Sequence, residues 1–339
     1  MTPTRRNRLI LSAAGALVLL AVAYTAGWQV LANRWRAGIA AWTEAQSASG
    51  RTVSTGAIAV SGFPLALRLT LAEPRAKDAA GNEWVGPPLT MTVTPFRPLE
   101  PEIDAPGTHH LTLVGHAPVE ISAATLTGRL TVERGKPVAL NAVAGTVVGM
   151  GMTLEGLTVD VSRPHVEPGA APDAASPIAL TAVIGLDRLT LPEDLHLPFD
   201  RTVASAHLAL RLRGTFPTGP VVPALTAWRD GGGTIEIDSI DLNWPPLSLA
   251  GEATIALDGA LQPEFAGTIR LRGAVEAVDR AQAAGMVDKD AATVTKLALR
   301  LATQRTADGA KETKIAIGIQ NRVLSVGPVP LLQMPEVTW

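Results

Sequence analysis

TIEIDSIDLNWPPLSLAGEATIALDG, residues 234–259, decides how the chain folds. Ile235 and Ile237 alternate with Glu236 and Asp238, and Ile240 and Leu242 alternate with Asp241 and Asn243. After a Pro-stiffened turn, Trp244-Pro245-Pro246-Leu247, the alternation resumes through Leu249, Ala253 and Ile255. A strand points successive side chains to opposite faces, so each half of this stretch has one oily side and one wet side. Antiparallel sheets with one solvated face look like this, whereas buried parallel strands are continuously apolar.

The same period of two recurs outward in both directions. ALRLTLAE (66–73) alternates around Leu67, Leu69 and Leu71, and LTMTVTPF (89–96) sets Thr90, Thr92 and Thr94 against Leu89, Met91 and Val93. TIRLRG (268–273) and TKIAIGI (313–319) repeat the pattern. Gly and Pro, 31 and 26 residues, gather between the runs, as in EPRAKDAAGNEW (73–84) and RPLEPEIDAPG (97–107), and punctuate them as turns. Strands that recur with turn signals and without helices alternating between them argue against βαβ units. The expected fold is mainly β, with antiparallel, twisted or curved sheets in a sandwich- or trough-like arrangement. A weak echo links Trp84-Val85-Gly86-Pro87-Pro88-Leu89 with Trp244-Pro245-Pro246-Leu247; it reads equally as a duplicated unit and as chance likeness of two Pro turns.

Two segments break the period. AVEAVDRAQAAG (274–285) and AATVTKLALRLAT (291–303) read as a short helical pair, about 274–303. Val294, Leu297, Ala298 and Leu301 fall at helical spacing on one face, expected to lie against a β layer. Gly285 is expected to end the first helix and Asp290 to cap the second.

At the other end, LILSAAGALVLLAVAYTAGWQVLAN (9–33) lacks any charged side chain. Roughly 20 apolar helical residues cross a hydrocarbon core of about 30 Å. Arg5, Arg6 and Arg8 precede the run, which favours a cytoplasmic N-terminus. The run reads as a signal-anchor at 9–32 behind a cytoplasmic basic tail at 1–8; a signal peptide cleaved at Ala21-Val22-Ala23 is the alternative. Either way the bulk of the chain is expected in the periplasm, held to the inner membrane if the segment stays. Trp28, Leu31, Trp35, Ile39 and Trp42 recur at three- and four-residue steps, so the helix continues through a juxtamembrane part (33–49) with an apolar stripe. The stripe is expected to pack on the exported body; self-association, or contact of Trp28, Trp35, Ile39 and Trp42 with an envelope protein, is the sharper reading. The rest divides into a first β-rich half (50–170) and a second (171–339), with RPHVEPGAAPDAASP (163–177) as the boundary.

Composition narrows the function. Net charge is −2, so no strong field draws the protein to nucleic acid. Absence of Cys excludes disulfides, thiolate metal sites and Cys nucleophiles. Aromatics at 4% are too few for base- or sugar-stacking platforms. There is no nucleophile elbow, phosphate-cradling glycine loop or His-Glu-x-x-His. His109, His110 and His116 sit close in sequence, but only Glu120 offers a nearby carboxylate of suitable parity, and a solvated strand end is the expected setting. His165, His196 and His207 are isolated. Glu83 beside Trp84 is the nearest approach to a catalytic acid and has no partner in sequence. No catalytic, cofactor or metal site is assigned.

SGRTVSTGAIAVSGFPLALRLTLAEPRA (49–76), following a membrane helix and a Trp-bearing juxtamembrane helix, carries a family likeness. Together with Asn243-Trp244-Pro245-Pro246-Leu247, Gly285, Val326-Gly327-Pro328-Val329-Pro330 and Pro335, it resembles the domain of unknown function 2125 (DUF 2125) family of bacterial envelope proteins. A Gly would be expected there in place of Pro245. Independently of the likeness, Gly62 and Pro64 make a sharp corner with Phe63 as its anchor. The resemblance brings no activity and no catalytic residues. Its texture is more distantly similar to the AsmA-like envelope group, which implies an oily β trough and lipid movement. The expectations that follow are a lipid-holding or lipid-moving module and, alternatively, an envelope scaffold that binds a protein partner; an uncharacterised enzyme is third.

Overall fold

The computed structural model describes residues 5–48, 50–133, 136–164, 177–195, 197–214, 219–305, 311–327 and 329–339. They form four helices and 22 strands, paired in antiparallel fashion throughout both strand series of the first unit and the meander of the second. The mainly β expectation holds. The chain divides into two compact units, residues 1–135 and 136–339.

The first unit begins with α1 (Arg5–Ala48), a single continuous helix that joins the uncharged apolar run and the Trp-bearing segment after it. Its strands are β1 (Thr52–Ser54), β2 (Ile58–Ser61), β3 (Leu67–Leu71), β4 (Arg75–Lys77), β5 (Glu83–Val85), β6 (Leu89–Thr94), β7 (Arg97–Asp104), β8 (Gly107–Thr112), β9 (Val119–Ala123) and β10 (Leu126–Glu133). They pair in two series that interleave in sequence. One runs β1-β4-β5-β8-β9; the other runs β2-β3-β6-β7-β10. The second series carries the core. Leu67, Leu69 and Val93 are fully buried against Trp28 and Ala32 of α1, with Trp35, Ile39, Val60 and Met91 packed around them. The alternation in 66–73 thus aims its leucines at the helix stripe.

The second unit is a meander. Its strands are β11 (Lys136–Ala144), β12 (Val147–Gly149), β13 (Met152–Ser162), β14 (Ile178–Thr190), β15 (Thr202–Arg213), β16 (Thr234–Trp244), β17 (Leu247–Leu257), β18 (Pro263–Arg272), β19 (Thr303–Arg305), β20 (Lys311–Gln320), β21 (Val323–Val326) and β22 (Val329–Gln333). From β13 to β18 each strand pairs with the next. β11 and β12 both lie along β13. β20 pairs with β18 on one edge and with β19 and β21 on the other. The Pro- and Gly-rich stretch 163–177 lies within this unit; its residues 165–176 fall outside the described residues, and the strands flanking it pair directly through Ser162 and Thr181.

Three helices complete the second unit: α2 (Val221–Asp230), α3 (Ala274–Ala283) and α4 (Lys289–Ala302). α2 has no counterpart in the sequence reading, because ten residues with Pro223 in the first turn leave little period to detect. It is held by Trp228, whose Nε1 donates to the Arg213 carbonyl at 2.8 Å and whose ring lies over Gly214 and Gly233. α3 ends as expected at Gly285, with φ +73°: Met286 N donates to Ala281 O and Gly285 N to Gln282 O, the paired bonds of a Schellman ending. The cap of α4 is Asp288 rather than Asp290; its carboxylate accepts from Ala291 N at 2.8 Å. The face expected against a β layer points the other way. α4 turns Ala292, Lys296 and Leu299 inward, while Val294 is 69% and Leu297 59% exposed. A small buried Ala lets the helices approach closely, and Lys296 bonds Asp279 and Gln282 at 2.7 and 3.1 Å.

The two Trp-Pro turns differ in kind. Trp244 and Leu247 are partners across a tight β16–β17 hairpin, whereas β5 and β6 belong to different strand series. Each indole is fixed separately: Trp84 Nε1 donates to His109 Nδ1 at 3.3 Å, and Trp244 Nε1 to Asp200 O at 2.7 Å. The likeness is of sequence and not of structure.

Candidate functional site: an apolar sheet face

Strand register in the second unit gathers the branched residues on one side. Leu208 and Leu210 of β15 stand opposite Ile240 and Ile237 of β16. Ile269 of β18 stands opposite Ile315 of β20, and Ile184 of β14 opposite Leu208. The same side continues to Val159 of β13. Bulges at Ile237/Ile240 and Ala209/Leu210 reset the register so that alternation on β15 and β16 stays in phase along the whole face.

No described Leu or Ile of β13 to β20 reaches the buried class, and nearly all are half-buried. Fully buried large side chains belong to the first unit: Leu67, Leu69, Val93 and Pro101. At the centre of the face, Ala253 of β17 stands opposite Gly267 of β18, over which the Phe265 ring lies, and Gly251 stands opposite Ile269. One end is closed by α2, since Gly214 and Gly233, on which Trp228 rests, share the parity of Leu212 and Ile235.

The opposite side is polar and ion-paired. Arg213 Nε donates to Glu236 Oε1 at 2.7 Å, and Arg211 Nε to Asp238 Oδ2 at 2.7 Å. The Asp238 hydrogen bond, above all, holds the Arg211 guanidinium above its ordinary value. Arg272 reaches Glu312 at 3.3 Å. Each of these three carboxylates has a cation, so this part of the face offers charge complementarity to itself.

The remaining residues singled out in the sequence fall at structural positions. Gly62 has φ +96°, and a Cβ there would stand 2.8 Å from the Ala66 carbonyl oxygen. Phe63 and Pro64 form the exposed tip of that turn. Pro246 presents its carbonyl to Gly273, where a Cβ would come within 1.8 Å. Gly327, at φ +55°, donates its N–H to Ala316 O at 2.8 Å, and Pro328 lies outside the described residues. Trp28, Trp35 and Ile39 pack within the first unit, while Trp42 is exposed.

The histidines do not converge. His109 accepts from Trp84 on Nδ1 and contacts the Ala105 carbonyl at 3.1 Å through Nε2, an arrangement of neutral imidazole with its proton on Nε2. His110 contacts Glu120 at 3.3 Å, and His116 sits in the turn between β8 and β9. His165 and His196 lie outside the described residues. Among the described residues, no three His, Asp or Glu side chains gather as a metal site.

A family profile described as an uncharacterized protein conserved in bacteria, DUF2125, matches residues 28–335. The chain belongs to the DUF2125 family. The match begins at Trp28, the first buried residue of the helix stripe, and takes in both units. No curated protein and no solved structure matches the chain. For this DUF2125 protein, the functional reading therefore rests on the apolar face and on α1. By length and composition, α1 is one helix able to cross a membrane, as an anchor or as a signal sequence.

Proposed function

We propose that α1 is a retained single-pass anchor in the inner membrane, that the bulk of the chain is periplasmic, and that the apolar face of the second unit holds or moves lipid acyl chains. The supporting observation is the row of half-buried Leu and Ile from β13 to β20, with Gly251 and Gly267 at its centre and Trp228 closing one end. Burying apolar surface is worth about 25 cal/mol per Å², or roughly 0.8 kcal/mol per methylene, so one acyl chain laid along such a face is bound usefully. This is the role of a binding module, with no reaction assigned to it.

The test uses the full chain in membranes containing a phospholipid with a photoactivatable acyl chain. Crosslinks on peptides of β15 to β20, lost in Ile240→Asp and Ile317→Asp variants, are the expected result. Crosslinks confined to α1 would overturn lipid holding by the sheet. A phosphatase reporter fused at the C-terminus, active only outside the cytoplasm, tests the sidedness.

A second reading, an envelope scaffold, is favoured by the outward apolar row of α4, where Val294 and Leu297 are exposed, and by exposed Met286 and Trp42. Crosslinking in native membranes with Val294→Asp and Trp42→Ala distinguishes it: loss of a protein adduct supports a partner, and unaltered adducts count against these contacts.

A further inference from the structure

Two turns of the first unit end in large apolar side chains that stay half or more exposed. Between β2 and β3 the tip carries Phe63 and Leu65, the latter 75% exposed. Between β6 and β7 it carries Phe96, 86% exposed. Both tips lie against the same two turns of α1. Trp28 Nε1 donates to Ala66 O at 2.9 Å, and Tyr24 Oη donates to Pro64 O. The Phe63 ring is 5.5 Å from that of Trp28, edge to face, and 6.3 Å from that of Tyr24. On the other side, Pro95 and Pro98 flank Phe96 and line a groove with Tyr24, Gly27, Trp28 and Leu31.

The depth of that level follows from helix geometry. The uncharged run begins at Leu9, and twenty residues at 1.5 Å each bring it to Trp28 after about 30 Å, one hydrocarbon thickness. Tyr24 and Trp28 therefore stand where a spanning helix leaves the hydrocarbon, the layer that Tyr and Trp side chains favour. The tip bearing Phe63 and Leu65 stands in the same layer because it is bonded to those two residues, and the tip bearing Phe96 because Pro95 and Pro98 line a groove with them. Cations come next: Arg34 and Arg36 one to two turns further along α1, and Arg97 beside Phe96, sharing Glu100 at 3.3 Å. Apolar tips with arginines just beyond them match the order of hydrocarbon and phosphate at a bilayer surface.

We propose that these two turns insert into the headgroup–hydrocarbon boundary beside α1. Helix and turns then make a three-point contact that fixes the first unit relative to the membrane. The occupant of the tips is the lipid of the bilayer that α1 itself crosses. The proposal rests on the reading of α1 as a retained anchor, and its test separates the two.

The chain has no Cys, so single cysteines report without interference. The full chain, carrying Leu65→Cys or Phe96→Cys with an environment-sensitive fluorophore, is placed in phosphatidylethanolamine–phosphatidylglycerol vesicles containing lipids brominated on the upper acyl chain. Leu19→Cys reports on the anchor. Ala79→Cys is the distant control: Ala79 contacts the Gly50 position, about 30 Å along α1 from Trp28. The expected result is loss of fluorescence at 19, 65 and 96 and none at 79. Quenching at 19 alone leaves the anchor standing and overturns the docking of the turns. Quenching at none of the four overturns the anchor and the docking together. Label access at 65 and 96 in lipid vesicles but not in native membranes identifies a protein occupant and also overturns the proposal.

Discussion

Trp28 and Ala66 are joined by a hydrogen bond of 2.9 Å from the indole Nε1 to the carbonyl oxygen, across 38 residues of sequence. The bond ties α1 to the turn at Gly62 and lets the Trp28 ring reach Leu67, Leu69 and Val93 without stranding its N–H. Trp28→Phe keeps most of the ring and loses the bond, an expected cost of about 1 kcal/mol. Trp28→Ala also opens a cavity, at about 3–5 kcal/mol. The midpoint of denaturant unfolding of the first unit checks both, and equal effects would mean that the bond contributes nothing.

Gly273 and Gly285 share φ +73° but differ in surroundings. At Gly273 an added Cβ meets the Pro246 carbonyl at 1.8 Å, whereas at Gly285 nothing lies within 4 Å. Gly285→Ala is expected to cost about 1 kcal/mol, the left-handed conformation alone. Gly273→Ala must also displace the β16–β17 turn, so it lowers the melting temperature by considerably more. Melting the two variants side by side tests this, with similar shifts as the adverse result.

Arg213 and Glu236 form the least exposed ion pair of the polar face, at 13% and 26% side-chain exposure. Arg213→Ala leaves Glu236 with Arg211 alone, an expected loss of about 1–3 kcal/mol. Arg129→Ala removes a pair in which both side chains are about half exposed, and little or no loss is expected there because solvent screens the pair. Chemical unfolding of the two variants ranks them.

Asp78 closes the loop between β4 and β5 by accepting from Asn82 Nδ2 at 2.8 Å and Asn82 N at 2.9 Å, while Asn82 Oδ1 accepts from Val114 N at 3.0 Å. The side-chain bond from Asn82, above all, holds the Asp78 carboxyl below its ordinary value of 3.8. With the folded value below the unfolded one, its contribution to stability is full above the unfolded value and is lost as pH falls through the folded one. Carboxyl-carbon NMR should show Asp78 titrating later on acidification than other exposed aspartates. Asn82→Ala should bring it back toward them.

The β architecture was legible because the period of two needs only neighbouring residues. ALRLTLAE and TIEIDSIDLNW each declared which side was oily before any partner was known, and Gly285 announced a helix end through its own φ. The apolar face was legible as texture but not as a site: that Leu208 meets Ile240, and Ile269 meets Ile315, depends on register and on bulges that local sequence does not encode. Helix α4 shows the limit in another way. Val294, Leu297 and Ala298 form an apolar row at helical spacing, yet Ala292, Lys296 and Leu299 face inward, since close helix packing favours the small residue. The Gly273–Pro246 approach was likewise invisible, because its two halves are 27 residues apart and neither carries a distinctive side chain.

By itself, the sequence determined an uncharged helix long enough to span a bilayer and a run of antiparallel strands with one oily side, because both follow from the order of adjacent side chains. Only the tertiary structure decided that Trp28 is spent on the core while Phe63, Leu65 and Phe96 are left outward beside it, and that the branched residues of seven strands share one half-covered face. Those outcomes turn on which distant surfaces meet, and burial is a property of both partners at once.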